Sequence, residues 1–345
     1  METLLGLDYQ TWWFLVVGGV FSGYAILDGF DFGAGAWHLF FRKEQSRRIA
    51  LNAVGPVWDG NEVWLVIGGG VLFAGFPVAY ASLLSAMYTP FMLFLFFIIF
   101  RAVSIEFRGK EEMKWWKKTW DIVYSFSSIM LGFLLGVVLG NVLMGIPIDA
   151  NHNYNGDALL SFLNPYSILM GLTSLSLFMS HGAIYLLLKT EGKLYERLVV
   201  LQKYAMAAFI IVFGITSLYT LAYQPHLSDK LMEMPAALIL PVLVVLSIAN
   251  IPRLTHKKKF QQAFLFSSLC ISFLLVLCAL EAYPNLLISS ISPENNIDIY
   301  NGASSLKSLK IMMIMVAIGG PMVLSYTYFV YKTFKGKVKI DETSY

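Results

Sequence analysis

The chain has 345 residues, of which 57% are hydrophobic and only 14% charged, and its mean hydropathy is +0.65. Soluble domains carry about a quarter charged residues, so this composition excludes an ordinary soluble domain and points to an integral membrane protein. The formal net charge of +3 favours no class of partner, because the placement of charge along the chain matters more than its sum.

A span needs about 20 apolar residues, since the hydrocarbon core is about 30 Å thick and a helix rises about 1.5 Å per residue. Apolar runs between polar breaks predict helices near 11–38, 49–75, 78–101, 119–146, 164–188, 198–222, 235–251, 260–282 and 308–331. The reading is an all-α, polytopic membrane protein, with nine transmembrane helices in a single transmembrane domain over 1–345. The seventh is short, bounded by Pro235 and Pro252 with Pro241 inside it. No cleavable signal is predicted, because the first apolar segment follows Glu2 and Asp8 rather than a basic stretch. Nine helices can be arranged as two four-helix bundles, about 1–147 and 160–285, plus one peripheral helix. A weak internal repeat supports this division: YAILDGFDFGAGAW in the first helix and SLFMSHGAIYLLLKT in the fifth share a polar–Gly pair at similar depth.

Basic residues tend to stay on the cytoplasmic side, which orients this parse. With the segment after the first helix taken as cytoplasmic, all of the 25 Lys and Arg except Lys230, Lys307 and Lys310 fall on that side. A wrong helix count would scramble the alternation. The N-terminus is therefore expected outside and the C-terminus in the cytoplasm, with the polar loops 147–163 and 283–307 external.

Ionisable groups inside hydrocarbon cost about 2.5–3.5 kcal/mol each on insertion scales, so each one calls for a reason. The first helix carries Asp28 and Asp31 in LDGFDFG, and the second carries Asp59 and Glu62 in GPVWDGNEVW. Spacing of i,i+3 puts each pair on one helical face. Counting about 1.5 Å per residue from the cytoplasmic ends places Asp28 and Asp31 about 15 and 10 Å deep, and Asp59 and Glu62 about 15 and 20 Å deep. The third helix brings Arg101 and Glu106 to the same margin. Five acids and an arginine at one depth suggest a hydrated proton-entry path. The plainer alternative is a polar clamp, with acids paired to Arg101 or bonded to Asn52, Asn61, Trp58 or Trp64.

Glycine-rich stretches (GGVFSG, GFDFGAG, Gly68–Gly70, GFLLGVVLG) read as sites of close helix approach. A haem or metal site would need His or Cys ligands. Cys270 and Cys278 lie eight residues apart on one helix and read as apolar fillers. Of the histidines only His181 falls well inside a span, where a hydrogen-bonded core role is the simpler reading. His38 falls near a helix end, and His152, His226 and His256 in loops. No complete redox centre is visible, so redox chemistry would have to draw on a partner.

The stretches LDGFDFGAG (27–35), RRIALNAVGPVWDGNEVWL (47–65), FRAVSIEFRGK (100–110) and NPYSILMG (164–171) resemble subunit II of cytochrome bd quinol oxidase. The resemblance runs from the first helix to the last, with GPVWDGNEVW the most specific part. It implies an oxygen-reducing, proton-motive-force-generating respiratory complex in the plasma (inner) membrane, fed with electrons from quinol. It also implies a heterodimer with a homologous subunit I that carries two b-type haems, haem d and the quinol-oxidising loop. This chain would ligate no haem or metal and would supply support, a proton route and a hydrophobic path for oxygen. Asp59 matches the acid at the proton channel's mouth; Asp31, Arg101 and Glu106 match polar positions near it, and Trp64 a tryptophan along the oxygen route. Some members hold a structural quinone or a small third subunit. A proton-coupled secondary transporter is the alternative, since such proteins also bury carboxylates between Gly-rich helices.

Overall fold

The computed structural model describes residues 2–156 and 159–340. Residues 157 and 158 of the expected external loop lie outside them. A hairpin of β1 (Thr3–Leu4) and β2 (Leu7–Asp8), with Thr3 opposite Asp8, leads into helix α1 (Tyr9–Trp37). Asp8 caps that helix, its carboxylate accepting from the Thr11 amide at 2.6 Å, which satisfies one of the amides that a helix start leaves without a partner.

The helix expected over 49–75 is two helices, α2 (Glu44–Val54) and α3 (Trp58–Gly75). Pro56 has no amide hydrogen to return to Asn52, so the ladder stops there and restarts at Trp58. The helix expected over 78–101 is likewise two, α4 (Pro77–Ala86) and α5 (Tyr88–Arg108). Pro77 opens α4 where a missing amide hydrogen is harmless, and Pro90 cannot donate back to Ala86. Because α5 continues past 101, Arg101 and Arg108 stand on one rigid element.

Next come α6 (Lys114–Met144), α7 (Pro165–Lys189), α8 (Gly192–Tyr223), the short α9 (Asp229–Glu233), α10 (Ile239–His256) and α11 (Phe260–Ala282). Asn164 caps α7 through the Ser167 amide at 2.8 Å. Helix α10 keeps Pro252 inside it and runs to His256 rather than ending at 251. A second hairpin, β3 (Asn285–Leu287) with β4 (Ile297–Asp298), precedes α12 (Leu306–Thr333).

Among the described residues eight helices are long and apolar enough to cross a membrane: α1, α5, α6, α7, α8, α10, α11 and α12. Helix α3 falls outside this set because Asp59, Asn61 and Glu62 occupy its first two turns.

Helices α1 and α7 cross at the centre with their backbones in contact. A Cβ on Gly33 would sit 1.8 Å from the Phe178 carbonyl oxygen, and one on Gly182 would sit 2.4 Å from the Ala34 nitrogen. Any larger residue would push the helices apart. Gly18, Gly19, Gly69 and Gly70, expected to serve the same purpose, have nothing within 4 Å in this chain. The core lies around the crossing, with Tyr24, Phe32, Phe178 and Phe209 on one level and Phe30, Trp37, Leu186 and Leu198 on the next. Helix α12 touches α1 and α3 and is otherwise largely uncovered. The C-terminal segment after it straps back over the end of α7, where the Val338 amide donates to the Lys189 carbonyl at 2.9 Å.

Candidate functional site: a buried arginine–carboxylate centre

Asp28 and Asp31 project from α1 one turn apart, and both are fully buried. Opposite them, α5 supplies Arg101, also fully buried. Its Nη2 lies 3.1 Å from Asp28 Oδ1 and 3.7 Å from Asp31 Oδ2, while Nη1 donates to Glu62 Oε2 of α3 at 2.9 Å. The guanidinium also stands over the Phe32 ring, 4.8 Å from its centroid, a face that attracts a cation. Asn61 fixes Asp31: its amide donates to Asp31 Oδ2 at 2.7 Å and to the Leu27 carbonyl at 3.1 Å, and its oxygen accepts from the Tyr331 hydroxyl at 2.9 Å. The first, second, third and last expected spans thus meet at one point.

One guanidinium here faces three carboxyl groups. Among the described residues, both oxygens of Asp28, Oδ1 of Asp31 and Oε1 of Glu62 meet no protein donor in hydrogen-bonding geometry. Buried polar atoms are ordinarily paired, so these oxygens exceed what packing alone would keep.

Of the residues expected in this site, Asp28, Asp31, Glu62 and Arg101 come together, and Asp59 and Glu106 do not. Both of those are exposed on this chain. The break before Trp58 puts Asp59 in the first turn of its own helix, so the depth of about 15 Å counted from residue 49 does not hold. Glu106 follows Arg101 by five residues on α5 and turns to another face. Trp64 packs against α1, where a Cβ on Gly23 would lie 2.5 Å from its ring. Asn52 bonds the Arg48 carbonyl at 2.8 Å.

A second charged cluster joins the ends of α1, α2, α5 and α6, and nothing in the sequence singles it out. Asp121 of α6, fully buried, accepts from Arg108 Nε at 2.6 Å, from Arg47 Nη1 at 2.9 Å and from His38 Nε2. Arg108 also holds both oxygens of Glu44, each at 2.9 Å. Two arginines answer two carboxylates here, and every oxygen of Asp121 has a donor. In sequence only the lysines before Asp121 stood out, as part of the basic cytoplasmic side.

His181 sits in the α1–α7 crossing, stacked on Phe264 at 4.6 Å. Its Nε2 donates to the Ile26 carbonyl at 3.1 Å, so in the neutral ring Nδ1 accepts from the Ser267 hydroxyl at 2.6 Å. Both ring nitrogens are engaged, which fits the core role and not an axial ligand. His38 is committed to Asp121. No group of three or more His, Cys, Asp or Glu among the described residues is arranged to hold a metal ion.

This fold and centre define a polytopic helical membrane protein with a titratable polar cluster buried among its N-terminal helices. The model of the family "Cytochrome bd terminal oxidase subunit II" matches residues 9–334. Cytochrome bd ubiquinol oxidase subunit 2 of Bacillus subtilis (strain 168) is 33% identical over 332 residues, covering 96% of this chain and 97% of that protein. Cytochrome bd-I ubiquinol oxidase subunit 2 of Escherichia coli (strain K12) is 30% identical, covering 97% of each chain. In three dimensions the chain is similar to the bd oxidase structure from Geobacillus thermodenitrificans, with a TM-score of 0.78, 19% identity and coverage of 94% of this chain and 98% of that one. The chain belongs to the cytochrome bd terminal oxidase subunit II family.

Proposed function

We propose that the chain is the redox-silent second subunit of a quinol:oxygen oxidoreductase, paired with a haem-bearing subunit I and supplying a proton route from the cytoplasm. The observation that carries this reading is the set of buried carboxylate oxygens around Arg101 that meet no protein donor in hydrogen-bonding geometry. A clamp saturates its acceptors; a proton path needs open ones that water and protons can occupy. Protons would enter at the exposed Asp59 and Glu106, pass one helical turn along α3 to Glu62, and reach Asp28 and Asp31. Arg101 would keep the acids together without itself titrating.

In this proposal α3 is a ninth span, since 18 residues reach about 27 Å. Helices α1, α3, α5 and α6 form one bundle, α7, α8, α10 and α11 the other, and α12 stands at the periphery. The asymmetry of basic residues puts the N-terminus outside and the C-terminus in the cytoplasm of the inner membrane. The two b-type haems and haem d belong to subunit I; in this chain His181 has both ring nitrogens bonded, and His38 gives Nε2 to Asp121. Trp64, against Gly23, would border an oxygen path. A structural quinone and a small third subunit remain part of the family expectation with no residue here assigned to them. Family membership removes the reason for reading the acids as a transporter's.

The test is Asp59→Asn in the assembled complex, a change that keeps shape and hydrogen bonding but not titration. Quinol-oxidase turnover should fall while the haem spectrum of the purified complex stays intact. Full turnover in that variant would sink the proton-route reading. Loss of the whole complex would favour a clamp.

A further inference from the structure

A cavity of about 720 Å³ opens at the basic end between the C-terminal end of α7, the N-terminal end of α11 and the strap that follows α12. It plays no part in the oxidase reading. Its rim carries Lys189, Lys258, Lys259, Lys335 and Lys337, and none of its lining residues is acidic. The strap is pinned from both sides: Lys337 Nζ donates to the Leu187 and Thr190 carbonyls at 3.1 and 2.9 Å, and Lys189 Nζ donates to the Phe334 carbonyl. Lys258, Lys259 and Lys335 are exposed, and none is in an ion pair among the described residues. The inner wall is different in kind, formed by Leu187, Leu188, Phe260 and Phe264 with the rings of Tyr185 and Tyr331. The cavity therefore has a cationic rim over an apolar interior, and it lies where helices end.

We propose that this cavity binds an anionic phospholipid, its phosphodiester held by the lysines at the membrane surface and its acyl chains laid against the apolar wall. Charge complementarity selects this occupant. No acid lines the cavity among the described residues, so its ammonium groups repel one another unless an anion stands between them, and the apolar wall favours an anion that carries apolar chains. Basic pockets between membrane helices recognise anionic headgroups in this way. The position of Tyr331 ties the site to the buried centre, because its hydroxyl holds Asn61, which holds Asp31.

The experiment uses the detergent-purified whole complex, native mass spectrometry and added phosphatidylglycerol, with phosphatidylcholine as the zwitterionic control and inorganic phosphate as the free-anion control. The wild type should retain phosphatidylglycerol in preference to phosphatidylcholine, and millimolar phosphate should not displace it. A Lys258→Gln, Lys259→Gln, Lys335→Gln triple variant should lose that preference, on the order of a hundredfold at about fivefold per lysine. The matching triple change to Arg should keep it, and it serves as the reference if the Gln variant assembles poorly. Equal retention of both lipids by the wild type overturns the proposal. So does unchanged retention by the Gln variant, displacement by phosphate, or displacement by an uncharged quinone. None of these outcomes touches the proton-route reading, which is measured by turnover.

Discussion

The two charged clusters share α5 and the chain of α1 and its end, and they are built to opposite rules. Around Asp121 two arginines meet two carboxylates, and the buried aspartate is saturated by Arg47, Arg108 and His38. Around Arg101 one guanidinium meets three acids, and four buried carboxylate oxygens meet no protein donor in hydrogen-bonding geometry, Asp28 Oδ1 having only its ion-pair contact. The first pattern ties the ends of α1, α2, α5 and α6 together. The second keeps more acid than packing can use. A buried ion pair is weak evidence of function by itself, since pairs of this kind also serve assembly. Stoichiometry and saturation separate the two roles where burial and depth do not.

That contrast can be broken from either side. Arg101→Ala should have the largest effect, because it leaves three buried acids without their cation; a loss of about 3–5 kcal/mol is expected for removing one partner of a buried pair. Little assembled complex should then be recovered from membranes, measured by gel filtration and the haem spectrum. Normal yield would mean that the acids do not depend on Arg101. Asp121→Asn keeps the shape but removes the charge shared by two arginines, and should cost about 2–3 kcal/mol. The apparent Tm of the complex should drop, while turnover per assembled complex stays near wild type. A turnover defect without destabilisation would move this cluster into the proton route.

Glu62→Gln should do the reverse. Stability should change by less than about 1 kcal/mol, because an isosteric amide leaves the crowded centre with less negative charge. Turnover should fall at least about tenfold, equivalent to about 1.4 kcal/mol on the barrier. Unaltered turnover would return the centre to the clamp class. The smallest effect is expected at His181, which lies in neither cluster. Replacing it by Phe removes two hydrogen bonds inside the membrane, each worth about 0.6–1.7 kcal/mol in comparable proteins. The haem spectrum of the complex should not change, and a lost or shifted haem band would overturn the core assignment of His181.

The span pattern and the identity of most of the buried centre were legible from the sequence. The bilayer has a fixed thickness and penalises charge, so hydropathy marks the helices and each intramembrane acid stands out. The i,i+3 spacing of Asp28 and Asp31 put both on one face of α1, and Arg101 was expected at the same cytoplasmic margin. What the pattern missed are the breaks at Pro56 and Pro90. A proline interrupts hydrogen bonding without interrupting hydropathy, so each broken helix read as one continuous span. The displaced start of α3 is the reason Asp59 is exposed while Glu62, three residues on, reaches Arg101.

Only the tertiary structure decided the rest. Asp121 lies 83 residues from His38 and 74 from Arg47, and no local spacing links them. Their meeting depends on how the ends of α1, α2, α5 and α6 converge, with α1 and α6 in close approach at Gly35 and Ser128. A separate meeting of α7, α11 and the segment after α12 gathered lysines from three separate segments around one cavity. By itself the sequence determined which residues must leave water and which acids had to be accommodated, because the membrane imposes those costs residue by residue. Which of those acids share a cation, and which are left open to solvent or a partner, depends on helix rotation and crossing. Those are set by packing between segments far apart in the chain, so they appeared only in the folded molecule.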